Sequence, residues 1–477
     1  MREIFVNHSK ASSHRAVALL GGALALGLCG SAHAQSANPA PAPDDSLTFH
    51  GVTLSGTVDI GGQYSNHNAP ESDYHFAGTN PLVAKQNNAS LTAIVPSSLS
   101  QSKITLTGKE PVSDEFAAVF KLETFFNPQS GNISDALRSL TVNNGIALTS
   151  QTMAADSSIA GQVFGSAAFA GIASKHYGTI TFGRQTTLLS DGVAVYDPMG
   201  GSNAFSVIGF SGTYAGGGDT EDRRFDDSIK YTIAVDHFRA SAMVKIATAG
   251  GEAHTAFSLS AGASAANAAI DVFYQSTRAG VSASALSAAQ VAALSTTCPD
   301  CTLNKTLAAT VSDNIAYAVM ASYKVSIVKL SGGYENIEFK NPDRPLTGAT
   351  GTAYNDLGGY VVPYAVLNQT AYTNPKKLDA FWLGAQVAVT RKFSVWLGYY
   401  NVHQNSYATG SNAGCTTSAS SGCSGDLQAF SAAAIYGLNR HFDMYAGFMA
   451  SNVTNGFASG YLFTNEIDPT AGIRLRF

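Results

Sequence analysis

The chain has 477 residues, 45% of them hydrophobic and only 13% charged, with a formal net charge of −5 at neutral pH. The charged share is about half of the ~25% usual in soluble domains, and the acidic balance argues against a nucleic-acid partner. Beyond the N-terminal segment no run of about eighteen apolar residues occurs, so no helix is expected to span a membrane.

The chain opens with Arg2, Lys10 and Arg15, followed by an apolar stretch from Ala16 to Gly30 and the small-x-small triplet Ala32-His33-Ala34. This reads as a secretory signal peptide over residues 1–34. The apolar stretch is short for a transmembrane anchor, and the cleavage pattern follows it at once. Taking three basic residues and one acid away from totals of 28 and 33 leaves 25 basic and 32 acidic residues, a net −7. Residues 35–45, with Pro39, Pro41 and Pro43, form an extended leader without packing potential. The remainder, 46–477, reads as one domain.

From Ser46 onward one pattern recurs: an alternating strand, a few polar residues, then a second strand that begins with an aromatic. The clearest case runs from Ser228 to Ile246. Ile229, Tyr231, Ile233 and Val235 share one face, Asp236-His237 turns, and Phe238, Ala240, Ala242, Val244 and Ile246 resume the alternation. Hairpins of the same form surround Ser174-Lys175-His176, Arg391-Lys392 and Asn439-Arg440-His441, and another joins Ile104 and Leu106 to Phe116 and Phe120. The aromatic after each turn sits at one height, as a membrane-interface girdle requires. Strand starts fall near 47, 101, 115, 162, 177, 224, 238, 254, 268, 314, 325, 378, 393, 426, 441 and 470. That count of sixteen predicts an all-β, transmembrane antiparallel β-barrel with short periplasmic turns and long extracellular loops. The long segments are 127–161, 185–223, 247–254, 275–313, 335–377 and 401–425.

Period-2 alternation assigns charges to faces. Lys103 alternates against Ile104 and Leu106, and Lys121 and Glu123 against Phe120 and Leu122, so all three point inward. Arg224, Asp226 and Lys230 share the parity opposite Ile229 and Tyr231 and are also read as inward. Arg184 shares parity with the outward Ile180 and Phe182, which places it at a subunit interface or a solvated rim. Residues 185–223 begin too apolar for a floppy exterior loop. Folded into the lumen, this loop would set Asp191 and Asp197 against the basic wall and create a transverse field that sorts solutes by charge.

Cys298, Cys301, Cys415 and Cys423 remain after signal removal, in two local pairs within polar stretches. In an exported chain they are expected to pin loops as disulfides, with connectivity left open. Cys298-Pro299-Asp300-Cys301 also has the form of a redox or half-zinc motif, but neither a second CxxC nor a neighbouring histidine accompanies it. No GxSxG, HExxH or P-loop occurs, so no enzyme activity, cofactor or metal is expected. The final strand alternates Ile473, Leu475 and Phe477 with Arg474 and Arg476, apolar outward and charged inward.

These residues resemble the trimeric general porins of Gram-negative outer membranes. The resemblance rests on Ser102-Lys103-Ile104-Thr105-Leu106-Thr107-Gly108-Lys109-Glu110, on Phe120-Lys121-Leu122-Glu123 and on Gly178-Thr179-Ile180-Thr181-Phe182-Gly183-Arg184-Gln185. It also rests on Tyr196-Asp197-Pro198, Arg224 with Asp227-Ser228-Ile229-Lys230-Tyr231, and the final Phe477. It implies sixteen strands, a homotrimer, an inward third loop and passive diffusion of small hydrophilic solutes and ions. It further implies that Phe477 belongs to the signal read by the outer-membrane barrel-assembly machinery, and that outer-membrane lipid and lipopolysaccharide surround the wall. Two positions depart from the family pattern: Lys103 and Ser166 stand where arginine is common, which thins the basic wall. The long loops at 275–313 and 335–377 exceed the usual plan. They open an alternative, a ligand-selective porin or a receptor or adhesion barrel that uses those loops.

Overall fold

The computed structural model describes residues 47–72, 81–133, 136–153, 163–209, 223–246, 255–346, 353–357, 359–407 and 422–477. The expected signal peptide, the expected Pro-rich leader and Cys415 lie outside these residues. Nineteen hydrogen-bonded strands form one sheet. Two are short attachments, Leu47–Phe49 and Leu367–Asn368, and one wall strand is interrupted, so sixteen strands cross and close a ring.

In chain order the wall is β1 (Val52–Asn68), β2 (Ala89–Pro96 continued by Lys103–Pro111), β3 (Phe116–Phe125), β4 (Ala167–Ser174) and β5 (Thr179–Thr186). Next come β6 (Arg224–Val235), β7 (Phe238–Lys245), β8 (Ala256–Ala265), β9 (Ala268–Ser284), β10 (Ala308–Val325) and β11 (Val328–Lys340). The ring is completed by β12 (Lys376–Ala388), β13 (Phe393–Gln404), β14 (Gly425–Gly437), β15 (Phe442–Asn455) and β16 (Asn465–Arg476). All wall pairings are antiparallel, and the seam pairs β16 with β1 from Thr57↔Arg476 to Gln63↔Thr470. Helices α1 (Ala136–Thr141), α2 (Leu188–Tyr196) and α3 (Ala288–Thr297) sit in the loops. Closure leaves no edge among the described wall strands, the condition for a sheet to cross lipid.

Alternation along each strand divides the side chains. One face carries large apolar groups in the open: Phe238 is 69% exposed, Leu383 53% and Ile270 48%. Such a continuous band is stable only against hydrocarbon. Of the aromatics that follow turns, Phe116, Tyr177 and Phe238 are exposed, while Phe393 and Phe442 are half-buried. Among the described residues no helix is long and apolar enough to cross a membrane.

Several strands are longer than their pattern predicts. The expected loops 275–313 and 335–377 are strand as far as Ser284, again from Ala308, on to Lys340, and again from Lys376. The expected loop 401–425 is likewise strand to Gln404 and again from Gly425. Gln275, Thr277, Asn314 and Glu335 are polar because they face the interior, and Asp313 because it accepts from the backbone N–H groups of Ala279 and Asp343; that polarity mimics a loop. The final strand begins at Asn465 rather than 470, and Pro469 sits within it opposite Phe448. The first half of β2, Ala89–Pro96, was absent from the expected strands. Residues 97–102 interrupt β2, and the backbone N–H groups of Leu99 and Ser100 donate to the Asp59 carboxylate at 3.2 and 2.8 Å.

Candidate functional site: the barrel interior and its inward loop

Residues 187–209, between β5 and β6, fold into the barrel. Thr187 caps α2 by accepting from the Ser190 N–H at 3.2 Å. One side of this segment is apolar. Leu188, Leu189, Val193, Tyr196, Met199 and Phe205 are buried together with wall residues Phe273, Met320, Phe339, Trp382, Trp396 and Tyr400. The two tryptophans of the chain therefore lie inside the barrel, each at most 1% exposed. A Cβ at Gly192 would meet Phe273 at 2.4 Å and one at Gly398 would meet Met199 at 2.9 Å, so small residues on both partners permit the close approach. Much of the inner face of β9–β15 is thus an apolar surface packed against the loop.

Polar contacts fix the loop at intervals. Tyr196 donates its hydroxyl to Asp271, whose carboxylate also binds the Arg239 guanidinium, with Nε 2.8 Å away. Lys329 Nζ donates to the Val195 carbonyl at 3.1 Å, Trp382 Nε1 to the Tyr196 carbonyl at 3.3 Å, and Gln386 Nε2 to the Pro198 carbonyl at 3.0 Å. Beyond the apex, Asn203 Nδ2 reaches the Ser97 carbonyl at 2.9 Å. The loop therefore spans the interior from β5 to β12 and returns to the interruption in β2.

The charges read from sequence separate into two groups. Lys103 and Lys121 both contact Glu123, at 3.3 and 3.1 Å, and Glu123 also accepts from Thr105 at 2.7 Å and Ser166 at 2.5 Å. Arg224 joins them: its Nε donates to the Ser166 carbonyl at 2.8 Å, and its guanidinium lies 5.0 Å from the Phe125 ring centroid. Ser166, where the resemblance led one to look for arginine, instead bridges Glu123 and Arg224. Lys230 pairs with Asp191, which also accepts from Thr186 Oγ1 at 2.6 Å.

Three residues sit differently from their expected places: Asp197 was expected against the basic wall, and Asp226 and Arg184 were assigned by strand parity. Asp197 is 2% exposed, accepting from Tyr400 at 2.6 Å and from the Gly201 N–H at 2.5 Å, and does not meet the basic wall in an ion pair. Burial pushes its carboxyl above the ordinary range, the Tyr400 hydrogen bond offsetting only part of this. A bulge opposite Arg184, with Asp227 at φ 49°, breaks the regular face of β6, so Asp226 pairs with Arg184 at 2.6 Å instead of joining Lys230. Arg184 is only 8% exposed and also donates to the Gly165 carbonyl at 2.7 Å, so it is not a freely solvated rim arginine.

Elsewhere, Arg474 and Arg476 both bind the buried Asp443, at 2.6 and 2.9 Å, on the inner face of the last strand. Cys298 and Cys301 form a disulfide at the end of α3, while the partner proposed for Cys423 lies outside the described residues. In the turn between β2 and β3, Glu115 is held down to about 2 by hydrogen bonds from Ser174 and His176. The Arg239–Asp271–Tyr196 clasp and the apolar inner wall escaped sequence reasoning. A signal was present: in β12, Leu378, Ala380 and Trp382 alternate with Phe381 and Leu383, apolar on both faces, the mark of a strand covered on both sides.

A closed sixteen-stranded ring with an apolar exterior and a loop tucked inside defines an outer-membrane β-barrel. A family model for Gram-negative porins matches residues 16–456, and the chain belongs to that family. An outer membrane porin protein of Bordetella pertussis is 27% identical over 193 residues, 40% of this chain. The match spans 39% of that relative's length. Among solved structures, OmpT of Vibrio cholerae aligns with TM-score 0.52 and 14% identity, over 91% of this chain and all of that one. OmpF of Salmonella typhi aligns with TM-score 0.50 and 14% identity over the same shares. A trimer form of OmpT gives 0.53 and 14%, over 89% of this chain and 99% of that one. The protein resides in the outer membrane.

Proposed function

We propose that the protein is a homotrimeric diffusion channel for small hydrophilic solutes, with a preference for anions. The carrying observation is the balance of charge on the inner wall of β2–β6. Lys103, Lys121 and Arg224 gather round the single carboxylate of Glu123, while Lys230 and Asp191 cancel. An excess of fixed cations in a low-dielectric wall raises the local concentration of anions. The opposite wall is apolar and covered by the loop, so solutes pass beside the basic one. The membrane is expected to meet the outer band as lipid and lipopolysaccharide.

The test is a reversal potential in planar bilayers under a potassium chloride gradient. Stepwise conductance with a potential of chloride sign is expected. A potential of potassium sign would refute the anion preference, and a folded but silent protein would refute the channel. The preference should weaken with salt, since the Debye length falls from ~10 Å at 0.1 M to ~3 Å at 1 M.

The elaborated β9–β10 and β11–β12 loops favour a second reading, a ligand-selective or receptor barrel. They carry α3, the disulfide and their own apolar cluster. Saturable flux of one solute class would mark that case. For Phe477, backbone bonds to Gly56 in both directions, at 2.9 and 3.1 Å, support a role in completing the seam. Phe477→Ala should lower the yield of heat-modifiable protein in the outer membrane.

A further inference from the structure

The loop between β3 and β4, described over residues 126–133, 136–153 and 163–166, does not stay near its own strands. Leu137 and Leu140 of α1 are buried in a cluster with Leu307 and Val311, at and before the start of β10, and with Leu346 and Val362 of the β11–β12 loop. Asn144 Nδ2 donates to the carbonyls of Leu303 and Thr306, both at 2.7 Å, and its Oδ1 accepts from the Leu286 N–H at 2.7 Å. The Gly145 N–H donates to the Leu286 carbonyl at 2.8 Å. Leu286, Leu303 and Thr306 belong to the β9–β10 loop, six strand positions away round the ring, and Leu346 and Val362 to the β11–β12 loop, eight away. The segment then returns to the β1–β2 loop, where the Met153 N–H donates to the Pro70 carbonyl at 2.9 Å and Asn88 Nδ2 to the Gln151 carbonyl at 3.0 Å.

A segment rooted at β3 and β4 and clasped six strands away runs as a chord over the extracellular mouth. Residues 136–153 carry one charged side chain, Arg138. We propose that this strap is an outer filter that limits the size of entering solutes, in series with the charged wall below, which sorts them by sign. The proposal rests on the channel reading. A neutral bar across an aqueous opening excludes by dimension, because it offers almost no fixed charge to attract or repel.

The clasp can be locked and released. A Cβ at Gly145 would lie 3.6 Å from Val291 Cβ, within the reach of a disulfide, at the cost of a left-handed cysteine, since φ is 72° there. The Gly145→Cys/Val291→Cys protein should cross-link within one chain, seen by non-reducing electrophoresis of boiled samples, and should conduct like the wild type. The release variant Leu137→Ser/Leu140→Ser/Asn144→Ala should keep heat-modifiable mobility. Its single-channel conductance should rise on the order of twofold, and it should admit larger neutral polymers. Wild type treated with reductant controls for the native Cys298–Cys301 bond. A folded release variant with unchanged conductance and size limit would overturn the filter. So would cross-links that join separate subunits. A wild-type protein that folds yet stays silent would instead overturn the channel on which the filter depends.

Discussion

At the scale of single residues, the two aspartates of the inward loop have opposite fates. Asp191 keeps 40% of its side chain exposed and neutralises Lys230, whereas Asp197 is sealed against Tyr400. Asp191→Asn should therefore free the Lys230 charge and move the reversal potential further toward anions. Asp197→Asn should leave it where it was. Asp197→Ala should cost about 1–3 kcal/mol in denaturant or thermal unfolding, because the buried Tyr400 hydroxyl loses its acceptor. Glu115 makes a prediction in pH. Its folded value of about 2 lies below the ordinary 4.5, so its hydrogen bonds to Ser174 and His176 are at full strength above 4.5 and vanish as pH falls through 2. Amide exchange in the 175–178 turn should accelerate over that window beyond the intrinsic rate, and Glu115→Gln should remove the step. Sequence parity identified Lys103, Lys121 and Glu123 as one inward group because β2 and β3 alternate without interruption. It misjudged Asp226 because a bulge cannot be seen in a pattern that is locally continuous.

At the scale of elements, the inward loop is held chiefly by shape. Wall glycines leave room for its apex, and ordinary side chains on both sides complete the packing. Gly398→Val should drive Met199 from its seat, costing about 1–3 kcal/mol through overpacking and adding open-channel noise at constant unit size. Undisturbed noise would mean that the apex does not border the conduction path. The apolar start of this segment was legible in the sequence, and its inward course followed from it. The wall that receives it was less legible, since interior positions of a large barrel are usually taken to be wet. Here β9–β15 break that assumption, and polar inward residues at the strand ends make those strands look shorter than they are.

At the scale of the whole molecule, strand number, closure and the asymmetry of long and short connections could be read from alternation, because lipid outside and water inside impose period 2 on a crossing whose inner face is wet, and the polar turns mark the ends of the others. The clasp of the β3–β4 loop onto remote loops could not, since its contacts join segments 159 and 162 residues apart through backbone carbonyls that carry no signature in sequence.

The position of Trp382 and Trp396 has a practical consequence. Both indoles are shielded from the bilayer by the wall and from bulk solvent by the inward loop, and Trp382 donates to that loop's backbone. Intrinsic fluorescence is thus an unlabelled readout of the seated segment: blue-shifted emission, insensitive to brominated lipids and to aqueous quenchers. A red shift under voltage, ligand or mutation would register undocking in real time, separately from any change in current.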